Sequence, residues 1–341
     1  MSDDLPARLA QFLRGKFAAD DAQIAGLSRI PGGASRETYR FRARWRKDGR
    51  EIERGLILRR DPPASLIETE RATEFRAYQA AHALGLPVPE PIALEESAAV
   101  LDRPFFIMEE ITGCQVGNIL SADPYSAHAA KIGGQFWTIL GKIARADPKA
   151  LGIADFAGAR DAQDCWRREV GRWEKVIDDD ELEPQPIARG ALRWLKRHPP
   201  PRAQKISLVH GDYRTGNFLF DADGNIRGIL DWEMAHLGDP LEDLAWALDP
   251  LWSHGNPKRP AGTVPREEAI ALWEKASGLK AEPSALFWWE IFASLKGVAI
   301  WISAAREYAD GRNSEPVNAF SGWYPLSVHN MVLAERLEAI A

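Results

Sequence analysis

The segment 206–246 constrains the fold more than any other part of this chain. An apolar run at 206–209 predicts a short buried strand, and Gly211 allows a sharp turn after which the next residue can project from the loop. Two further apolar runs, 218–220 and 226–230, flank a turn rich in Asp, Gly and Asn. The pattern therefore predicts a strand, a loop and a hairpin that bring polar side chains together.

Three polar residues of this segment have the spacing that phosphoryl transfer requires. Asp212 follows the first strand, Asn217 comes five positions later, and Asp231 ends the hairpin. In such a site one carboxylate meets the substrate hydroxyl, while an amide oxygen and a second carboxylate hold Mg²⁺ on the nucleotide phosphates. We interpret Asp212 as the residue that orients or deprotonates the hydroxyl. The hairpin is expected to deliver Asp231 beside Asn217, so that both bind magnesium.

At this point the chain resembles the aminoglycoside phosphotransferase and choline kinase-like family, whose members share the protein-kinase-like fold. The segments GGASRETYRF, LILRRDPP and LVHGDYRTGN are most similar to a branch that also occurs fused to acyl-CoA dehydrogenases. The resemblance covers nearly the whole chain. It implies an α+β, two-lobed fold, with a small β-rich nucleotide-binding lobe at 1–109, a connector at 110–113 and a larger, mainly helical catalytic lobe at 114–341.

Local patterns agree with this order of elements. Apolar residues at helical spacing predict an opening helix near 5–17, and alternation predicts strands between 24 and 60. A helix at 65–84 and strands at 92–95 and 105–109 complete the expected small lobe. Beyond it, helices are expected at 124–147, 160–178, 185–197, 240–249, 265–277, 283–308 and 325–340.

The loop between the first two strands is the expected phosphate cradle. Gly32 and Gly33 leave room for backbone N–H groups to approach phosphate oxygens. In the family that the chain resembles, the position of Ser35 commonly contacts the phosphates. Arg36 stands where that family often has a small polar residue. A glycine pair in a hairpin often does no more than turn the chain. The phosphate-binding assignment therefore rests on the position of this loop, one strand before the strand that carries a cation.

A cation on the third strand completes the nucleotide side. Most kinases place a lysine there, which contacts the phosphates and pairs with a helix glutamate. This chain has Arg59 instead, and arginine also occurs there in a branch of the family; its expected partner is Glu74, with Glu70 as the alternative. The segment that joins the lobes includes Met108, Glu109 and Glu110, whose backbone groups are expected to bind adenine.

Two other residues of the catalytic loop have more than one interpretation. Arg214 stands where many protein kinases place a lysine that contacts the transferring phosphate, but a salt bridge within the loop is equally compatible with the sequence. His210 is expected to be a structural hydrogen-bonding residue beneath the loop. Asp239 and Asp243 are expected to cap and anchor the following helix.

The acceptor is expected to be a small hydroxylated metabolite. A short segment separates Asp231 from the next helix, without the Ala-Pro-Glu ending of a protein-kinase activation segment. The predicted acceptor walls, 114–205 and 264–341, lack the strongly acidic character that a polycationic aminoglycoside favours, whereas the family branch suggests a hydroxyacyl thioester. Most of the tryptophans in these parts are expected to lie in the core.

Composition limits the remaining possibilities. The 341 residues carry a net charge of −6, which does not favour nucleic acid or an anionic membrane. Cys114 and Cys165 lack metal-ligand spacing, and the N-terminus does not resemble a signal peptide, so we expect free thiols and a cytoplasmic protein. The apolar stretch 297–305 is too short to span a bilayer.

Two other functions were weighed against an active kinase. The missing strand lysine favours a nucleotide-binding pseudokinase with a regulatory role, but the three residues Asp212, Asn217 and Asp231 oppose it. A magnesium-dependent phosphohydrolase would need an aspartyl nucleophile motif or a metal-ligand cluster, which the sequence lacks. The expected cofactors are ATP and Mg²⁺.

Overall fold

The computed structural model describes most of the chain, and it divides that chain into two compact units. The described residues are 4–30, 37–61, 71–158 and 161–340. The first unit comprises Met1–Cys114 with Arg227–Met234, and the second comprises Gln115–Ile226 with Ala235–Ala341. The boundaries expected from sequence are contiguous, whereas the first unit also includes a segment that follows it by more than one hundred residues.

The first unit consists of a five-stranded antiparallel sheet with helices. The strand order is β1-β2-β3-β5-β4. The bounds are α1 (Leu5–Phe17), β1 (Asp21–Arg29), β2 (Glu37–Lys47), β3 (Arg50–Arg60), α2 (Arg71–Ala83), β4 (Pro91–Glu95) and β5 (Phe105–Glu109). These elements match the expected order, and the predicted start of the second helix at 65 lies outside the described residues.

Helix α1 covers one face of this sheet. Leu5, Leu9 and Leu13 recur every fourth residue, and all three are buried. They pack in one cluster with the inward-facing residues of β2, including Phe41 and Trp45. Burial of each such leucine contributes roughly 1.5–3 kcal/mol. The alternation of buried and exposed residues along β2 is therefore explained by α1 on one side and solvent on the other.

The opposite face of the sheet packs against α2. Phe106 lies 5.8 Å from Phe75 and 6.1 Å from Tyr78, measured between ring centroids. Phe105 instead meets Phe12 of α1 at 5.0 Å, as expected for neighbours that point to opposite faces. Arg59 pairs with Phe106 across β3 and β5, so its side chain shares the face that carries α2.

The second unit is mainly helical, which confirms the prediction for the C-terminal part of the chain. Its strands are short, and β7 pairs with β10. The helices are α3 (Ala129–Arg145), α4 (Cys165–Asp180), α5 (Pro186–Arg197), α6 (Leu241–Ala247), α7 (Arg266–Ser277), α8 (Pro283–Ala309), α9 (Pro316–Ser321) and α10 (Tyr324–Glu338). The strands that follow β5 are β6 (Cys114–Val116), β7 (Ser207–Val209), β8 (Phe218–Asp221), β9 (Ile226–Ile229) and β10 (His236–Gly238). Of these, β6 begins at the last residue of the first unit's main segment, and all of β9 except Ile226 belongs to the first unit. The sequence analysis did not predict β6, β10 or α9.

Helix α8 is the central element of the second unit. It packs against α4, α5, α6, α9 and α10. Its 27 residues are long and apolar enough to cross a membrane, but 83% of its most apolar window is buried inside the protein, as in the core helix of a globular domain. The apolar stretch recognised in the sequence, 297–305, is therefore part of a much longer helix.

A buried ionic cluster joins α8 to α10. Asp249 accepts hydrogen bonds from Ser294 Oγ at 2.7 Å and from His329 Nε2 at 3.0 Å. Trp301 donates to Nδ1 of His329 at 2.8 Å, so that histidine is the tautomer with its proton on Nε2. Gly297 makes this approach possible, because a Cβ there would lie 2.0 Å from the His329 ring.

The Asp249 carboxylate stabilises the fold in its ionised form. Burial alone would raise its pKa, but His329 and Arg336 outweigh burial and lower the pKa to about 2. Because the unfolded value is about 3.9, this stabilisation is present above that pH and is lost as the pH falls toward the folded value.

We expect Asp249→Asn to lower the free energy of unfolding at pH 7 by about 2–3 kcal/mol. Denaturant titrations from pH 7 to pH 2 should show the difference from wild type shrinking between about pH 4 and pH 2. Asp310→Asn, which alters a carboxylate 40% exposed beside Arg312, is the matched control and should change stability by less than about 1 kcal/mol. An equal loss in both variants would contradict the assigned role of Asp249.

Candidate active site

The loop after β7 places Asp212 at the candidate catalytic position. Strand β7 ends at Val209 and is fixed by its pairing with β10. Gly211 has a φ of +86°, in the left-handed region that glycine adopts at little cost, which confirms its expected role in the turn. The Asp212 N–H donates to Nδ1 of the buried His210 at 3.2 Å. His210 thus has the structural role that the sequence favoured.

Helix α6 holds this loop through its backbone. The two carboxylate oxygens of Asp243 accept the N–H groups of His210 at 2.6 Å and Gly211 at 2.9 Å. Burial raises the pKa of the Asp243 carboxyl, although these donors partly offset it. Asp239 accepts the N–H of Leu241 at 3.0 Å and caps the helix as expected. Asp243 was also expected to cap or anchor this helix. It instead holds the backbone of the loop that carries Asp212.

Three side chains fix the carboxylate of Asp212. Oδ1 accepts from Trp246 Nε1 and from Arg214 Nε, both at 2.9 Å. Oδ2 accepts from Asn217 Nδ2 at 2.6 Å. Donors to both oxygens define the rotamer of the carboxylate, whose side chain is 14% exposed. The structure thus brings the two predicted catalytic residues together with one predicted magnesium ligand.

The sequence was compatible with two roles for Arg214, a salt bridge within the loop or contact with a transferring phosphate. The structure shows the salt bridge, with Asp212. Besides Asp212, its guanidinium contacts the carbonyl oxygen of Thr215 at 3.0 Å and lies 4.9 Å from the ring centroid of Trp252. The stacking and the ion pair fix the guanidinium beside the carboxylate. Contact with a transferring phosphate stays a prediction.

The oxygen of the Asn217 side chain is suited to a magnesium ion. Its nitrogen is used twice, to Oδ2 of Asp212 and to the Asp212 carbonyl oxygen at 2.9 Å. That assignment leaves Oδ1 as the atom of this side chain that could hold a metal ion, in a residue that is 8% exposed. An amide oxygen with a carboxylate is a donor set that Mg²⁺ accepts. Asp231 belongs to the other unit, so joint binding by the two residues stays a prediction.

Within the first unit, Arg59 and Glu74 form the expected ion pair. Arg59 Nη1 lies 2.7 Å from Glu74 Oε1, and the two side chains are 11% and 0% exposed. Arg59 Nη2 reaches Asp231 Oδ1 at 3.3 Å and lies 3.9 Å from Glu233 Oε2. The fork of the guanidinium thus contacts the helix glutamate and the predicted metal ligand at once, which a single ammonium group does less readily.

Asp231 is held in an unusual backbone conformation. Its φ is +67°, a region that Asp tolerates better than most residues. Its N–H donates to the hydroxyl oxygen of Tyr78 at 3.0 Å, and burial raises the pKa of that phenol. Burial alone would lower the pKa of Arg59, but Glu74, Asp231 and Glu233 outweigh it and raise this pKa above its ordinary value. The cation is therefore permanent.

In the connector, two of the backbone N–H groups predicted to bind adenine already have partners, while adenine binding by this segment stays a prediction. The N–H of Glu109 donates to the Glu90 carbonyl at 2.9 Å, and that of Glu110 donates to the Gly55 carbonyl at 3.0 Å. These two N–H groups are already used by the sheet, and the side chain of Met108 is buried. Among the described residues, the next amide without such a bond is that of Ile111, which the sequence analysis did not select. The predicted phosphate-loop residues Gly32, Gly33 and Ser35 lie outside the described residues.

A cavity of about 770 Å³ opens in the second unit beside Arg214. Its walls are mostly aromatic and apolar, and they include Trp252, Trp301, Phe320, Trp323 and Tyr324. Trp323 is 70% exposed, whereas Trp137, Trp273 and Trp289 are buried as expected. The sequence could not separate these two groups, because spacing alone does not distinguish a cavity wall from the core.

Comparisons with known proteins agree with this geometry. The family model described as Phosphotransferase enzyme family matches residues 26–279. Mouse (Mus musculus) acyl-CoA dehydrogenase family member 10 is 29% identical over 70% of this chain and 22% of its own length. Human (Homo sapiens) acyl-CoA dehydrogenase family member 11 is 25% identical over 92% of this chain and 40% of its own length. The chain thus spans less than half of each of these relatives.

Solved structures show the same fold. A protein from Ralstonia eutropha JMP134 that carries the provisional name aminoglycoside phosphotransferase has a TM-score of 0.75 and 21% identity, over 97% of this chain and 98% of its own. Aminoglycoside phosphotransferase APH(4)-Ia in a ternary complex with AMP-PNP and hygromycin B has a TM-score of 0.57 and 18% identity, over 96% and 97%. A choline/ethanolamine kinase family protein from Mesorhizobium loti has a TM-score of 0.52 and 18% identity, over 91% and 92%.

These matches confirm the kinase-like α+β fold and the resemblance seen in the sequence. The chain belongs to the Phosphotransferase enzyme family.

Proposed function

We propose that this protein is a kinase of small molecules, which transfers the γ-phosphoryl group of ATP to a hydroxyl group with the help of Mg²⁺. The observation that carries the proposal is the Asp212 carboxylate, which accepts hydrogen bonds from Trp246, Arg214 and Asn217. Arg214 also lines an apolar cavity. Family membership supports the reaction class.

The proposed reaction forms a bond between the acceptor oxygen and the γ-phosphorus. The bond from that phosphorus to the bridging β–γ oxygen breaks, and ADP leaves with the electron pair. The hydroxyl proton passes to Asp212 and from there to solvent. Because such transfer is largely dissociative, positioning carries most of the catalysis, and the donors around Asp212 suit this role.

Apart from Ile111, the residues proposed to bind the nucleotide and its metal ion are those predicted from the sequence. Asn217 and Asp231 would hold Mg²⁺, which neutralises charge on the phosphates when bound. Arg59 would contact the α- and β-phosphates in place of the usual lysine. Gly32, Gly33 and Ser35 are proposed to cradle the phosphates, and the connector near Ile111 to bind adenine through its backbone.

The acceptor is proposed to be a hydroxyacyl thioester. In the described part of the chain, the cavity beside Arg214 is lined by aromatic and aliphatic side chains without an Asp or Glu. Such walls suit an acyl chain and offer nothing to the amino groups of an aminoglycoside. The matched relatives bear the name acyl-CoA dehydrogenase, which is compatible with a thioester acceptor.

A pseudokinase with a regulatory role is the second candidate. It is favoured by Arg59, which replaces the usual lysine and is engaged with Glu74 and Asp231. The arrangement of Asp212 opposes it, since a regulatory nucleotide site has no need of a carboxylate fixed by three donors. Turnover of ATP separates the two candidates.

We expect Asp212→Ala to lower turnover roughly 10²- to 10⁴-fold, because the group that orients the hydroxyl is lost. The measurement is ADP release from Mg·ATP with coenzyme A thioesters of hydroxy acids, together with phosphorus NMR of the product. Asp223→Ala, which removes an exposed carboxylate from the hairpin turn, is the control and should retain full activity. Wild-type protein that binds Mg·ATP without turning it over on any acceptor would favour the pseudokinase.

We expect the acyl chain of the acceptor to bind in the cavity. Each methylene added to a hydroxyacyl thioester should raise kcat/KM about fourfold until the cavity is full, which corresponds to about 0.8 kcal/mol per buried CH₂. Hygromycin B serves as the polycationic comparison and should not be phosphorylated. A flat dependence on chain length, or phosphorylation of hygromycin B, would exclude this acceptor class.

We expect Arg59→Met to destabilise the first unit and Arg59→Lys to retain measurable activity. Removing the cation takes the guanidinium away from the fully buried Glu74, and breaking a buried ion pair in this way costs about 3–5 kcal/mol. Arg44→Met is the control, since its pair with Glu53 is 55% and 40% exposed and should cost less than about 1 kcal/mol. Denaturant unfolding measures both, and calorimetry with Mg·ATP measures binding by Arg59→Lys. Equal stability of the two methionine variants would contradict a buried role for Arg59.

A further inference from the structure

A buried lysine at the centre of α8 touches the backbone of the catalytic loop. Lys296 is 1% exposed, and its Nζ donates to the carbonyl oxygen of Gly211 at 2.6 Å. The same nitrogen lies 3.0 Å from Oε1 of Glu242, which is also 1% exposed. This pair joins residues that are 54 positions apart, and the contact with the loop spans 85 positions.

The position of this charge is not explained by stability. Removing an ion from water costs several kcal/mol, and a buried ion pair can often be replaced by apolar residues without loss of stability. Most residues around Lys296 in the middle of α8 are apolar, although Glu290 and Ser294 are also buried there, so leucine or methionine would avoid the cost of burying a charge. What the ammonium group adds is a directed hydrogen bond to one carbonyl next to Asp212.

That hydrogen bond completes the restraint of a single residue, Gly211, through the two peptide groups on either side of it. The N–H of Gly211 is held by Asp243 of α6, and its C=O is held by Lys296 of α8. Both ends of the glycine are therefore fixed at a φ of +86°, although a residue without a Cβ could otherwise adopt many conformations. Because Asp212 follows directly, the orientation of this glycine sets the direction of the catalytic side chain.

Lys296 also fixes the indole that contacts Asp212. Its Nζ lies 5.3 Å from the ring centroid of Trp246, within the range of a cation–π interaction. Trp246 is four residues after Glu242 on α6, so the helix presents the carboxylate and the indole on one face toward the ammonium group. The indole N–H then donates to Oδ1 of Asp212 at 2.9 Å.

Glu242 also contacts a buried histidine, His236, which in turn lies near a second buried glutamate, Glu169. His236 Nε2 lies 3.1 Å from Glu242 Oε2 and 3.8 Å from Glu169 Oε1. These three residues are close enough to hold a metal ion. Burial alone would raise the pKa of Glu242, but Lys296 and His236 lower it below its usual range. The positive charge that this carboxylate needs is thus provided by the chain itself.

We propose that Lys296 and Trp246 are positioning residues, which orient Asp212 from two sides: Lys296 through the Gly211 carbonyl and Trp246 through the carboxylate. This inference rests on the proposed function, since it concerns the same reaction. It assigns to α8 a part in catalysis, although that helix contributes none of the predicted site residues.

The first test is Trp246→Phe, which keeps an aromatic ring under Lys296 and removes the indole donor. We expect kcat for ADP release to fall roughly 10- to 100-fold, with the KM for Mg·ATP unchanged. Trp289→Phe is the matched control, because it also removes a buried indole hydrogen bond to a carboxylate, that of Asp239 at 3.1 Å. The two variants should have similar melting temperatures, whereas kcat of the control should match wild type. An unchanged kcat in Trp246→Phe, or an equal fall in both variants, overturns the inference.

The second test removes the ion pair as a whole. Lys296→Met alone leaves Glu242 buried without its cation and is prone to misfold. The double variant Lys296→Met/Glu242→Gln removes both charges at nearly constant volume, so it should fold, as circular dichroism would show. We expect a fall in kcat comparable to that of Trp246→Phe, again with the KM for Mg·ATP unchanged. Wild-type kcat in this folded double variant overturns the role of Lys296.

A measurement without turnover separates this inference from the proposed function. Hydrogen exchange of indole protons can be followed by NMR, and the signal lost in Trp246→Phe identifies that of Trp246. Its protection should fall at least tenfold in Asp212→Ala and in the Lys296→Met/Glu242→Gln variant, but not in Trp289→Phe. Unaltered protection overturns the inference even if the enzyme is active. Protection that falls as expected in a protein without ATP turnover supports the positioning network and counts against the proposed function.

Discussion

The loop that carries Asp212, the proposed catalytic residue, depends on one buried carboxylate. Asp243 accepts two consecutive backbone N–H groups, those of His210 and Gly211, at the point where β7 ends. Without it, two buried donors would have no partner, which costs about 1–3 kcal/mol each. Because Asp243 is one turn before Trp246 on α6, the helix that fixes the backbone of the loop also reaches the side chain of Asp212.

At the proposed nucleotide site, an arginine occupies the position where most kinases have a lysine. Arg59 lies on the face of the sheet that α2 covers, so the register of β3 and β5 alone places it near Glu74. Its two terminal nitrogens contact Glu74 and Asp231 separately. A planar guanidinium makes both contacts from one position, whereas an ammonium group at the end of a flexible chain would favour one of them. The substitution therefore alters geometry while it keeps the charge.

Much of this fold could be predicted from local sequence patterns. The features that could not be predicted are contacts between residues that are far apart in the sequence. The opening helix, the strands of the sheet and the glycine turn at Gly211 follow from periodicity and backbone preference. The ion pair of Arg59 and Glu74 followed from the motif. The role proposed for Lys296 could not be predicted in this way, because it depends on a hydrogen bond to a carbonyl group 85 residues away in the sequence.

Other features of the site were missed because they too depend on contacts that a single sequence does not show. Trp246 was indistinguishable from a core residue, since an indole at helical spacing packs in the same way whether or not its N–H has a catalytic partner. The amides of Glu109 and Glu110 looked available because sequence does not show which carbonyls the neighbouring strands offer. Helix α8 was predicted at 283–308 and is found at Pro283–Ala309, but the sequence did not show that Lys296 within it is paired with Glu242 inside the core.

The discontinuous first unit has a consequence for how this protein can be divided. A fragment that ends at Cys114 would lack Arg227–Met234, and with it Trp232, which is fully buried and lies 6.3 Å from the ring of Tyr78. It would expose an apolar surface on α2 and remove two of the carboxylates around Arg59. The sheet-containing part is therefore unsuited to expression as an independent piece, and a cut in the chain near residue 114 would still leave its closing segment attached to the helical part.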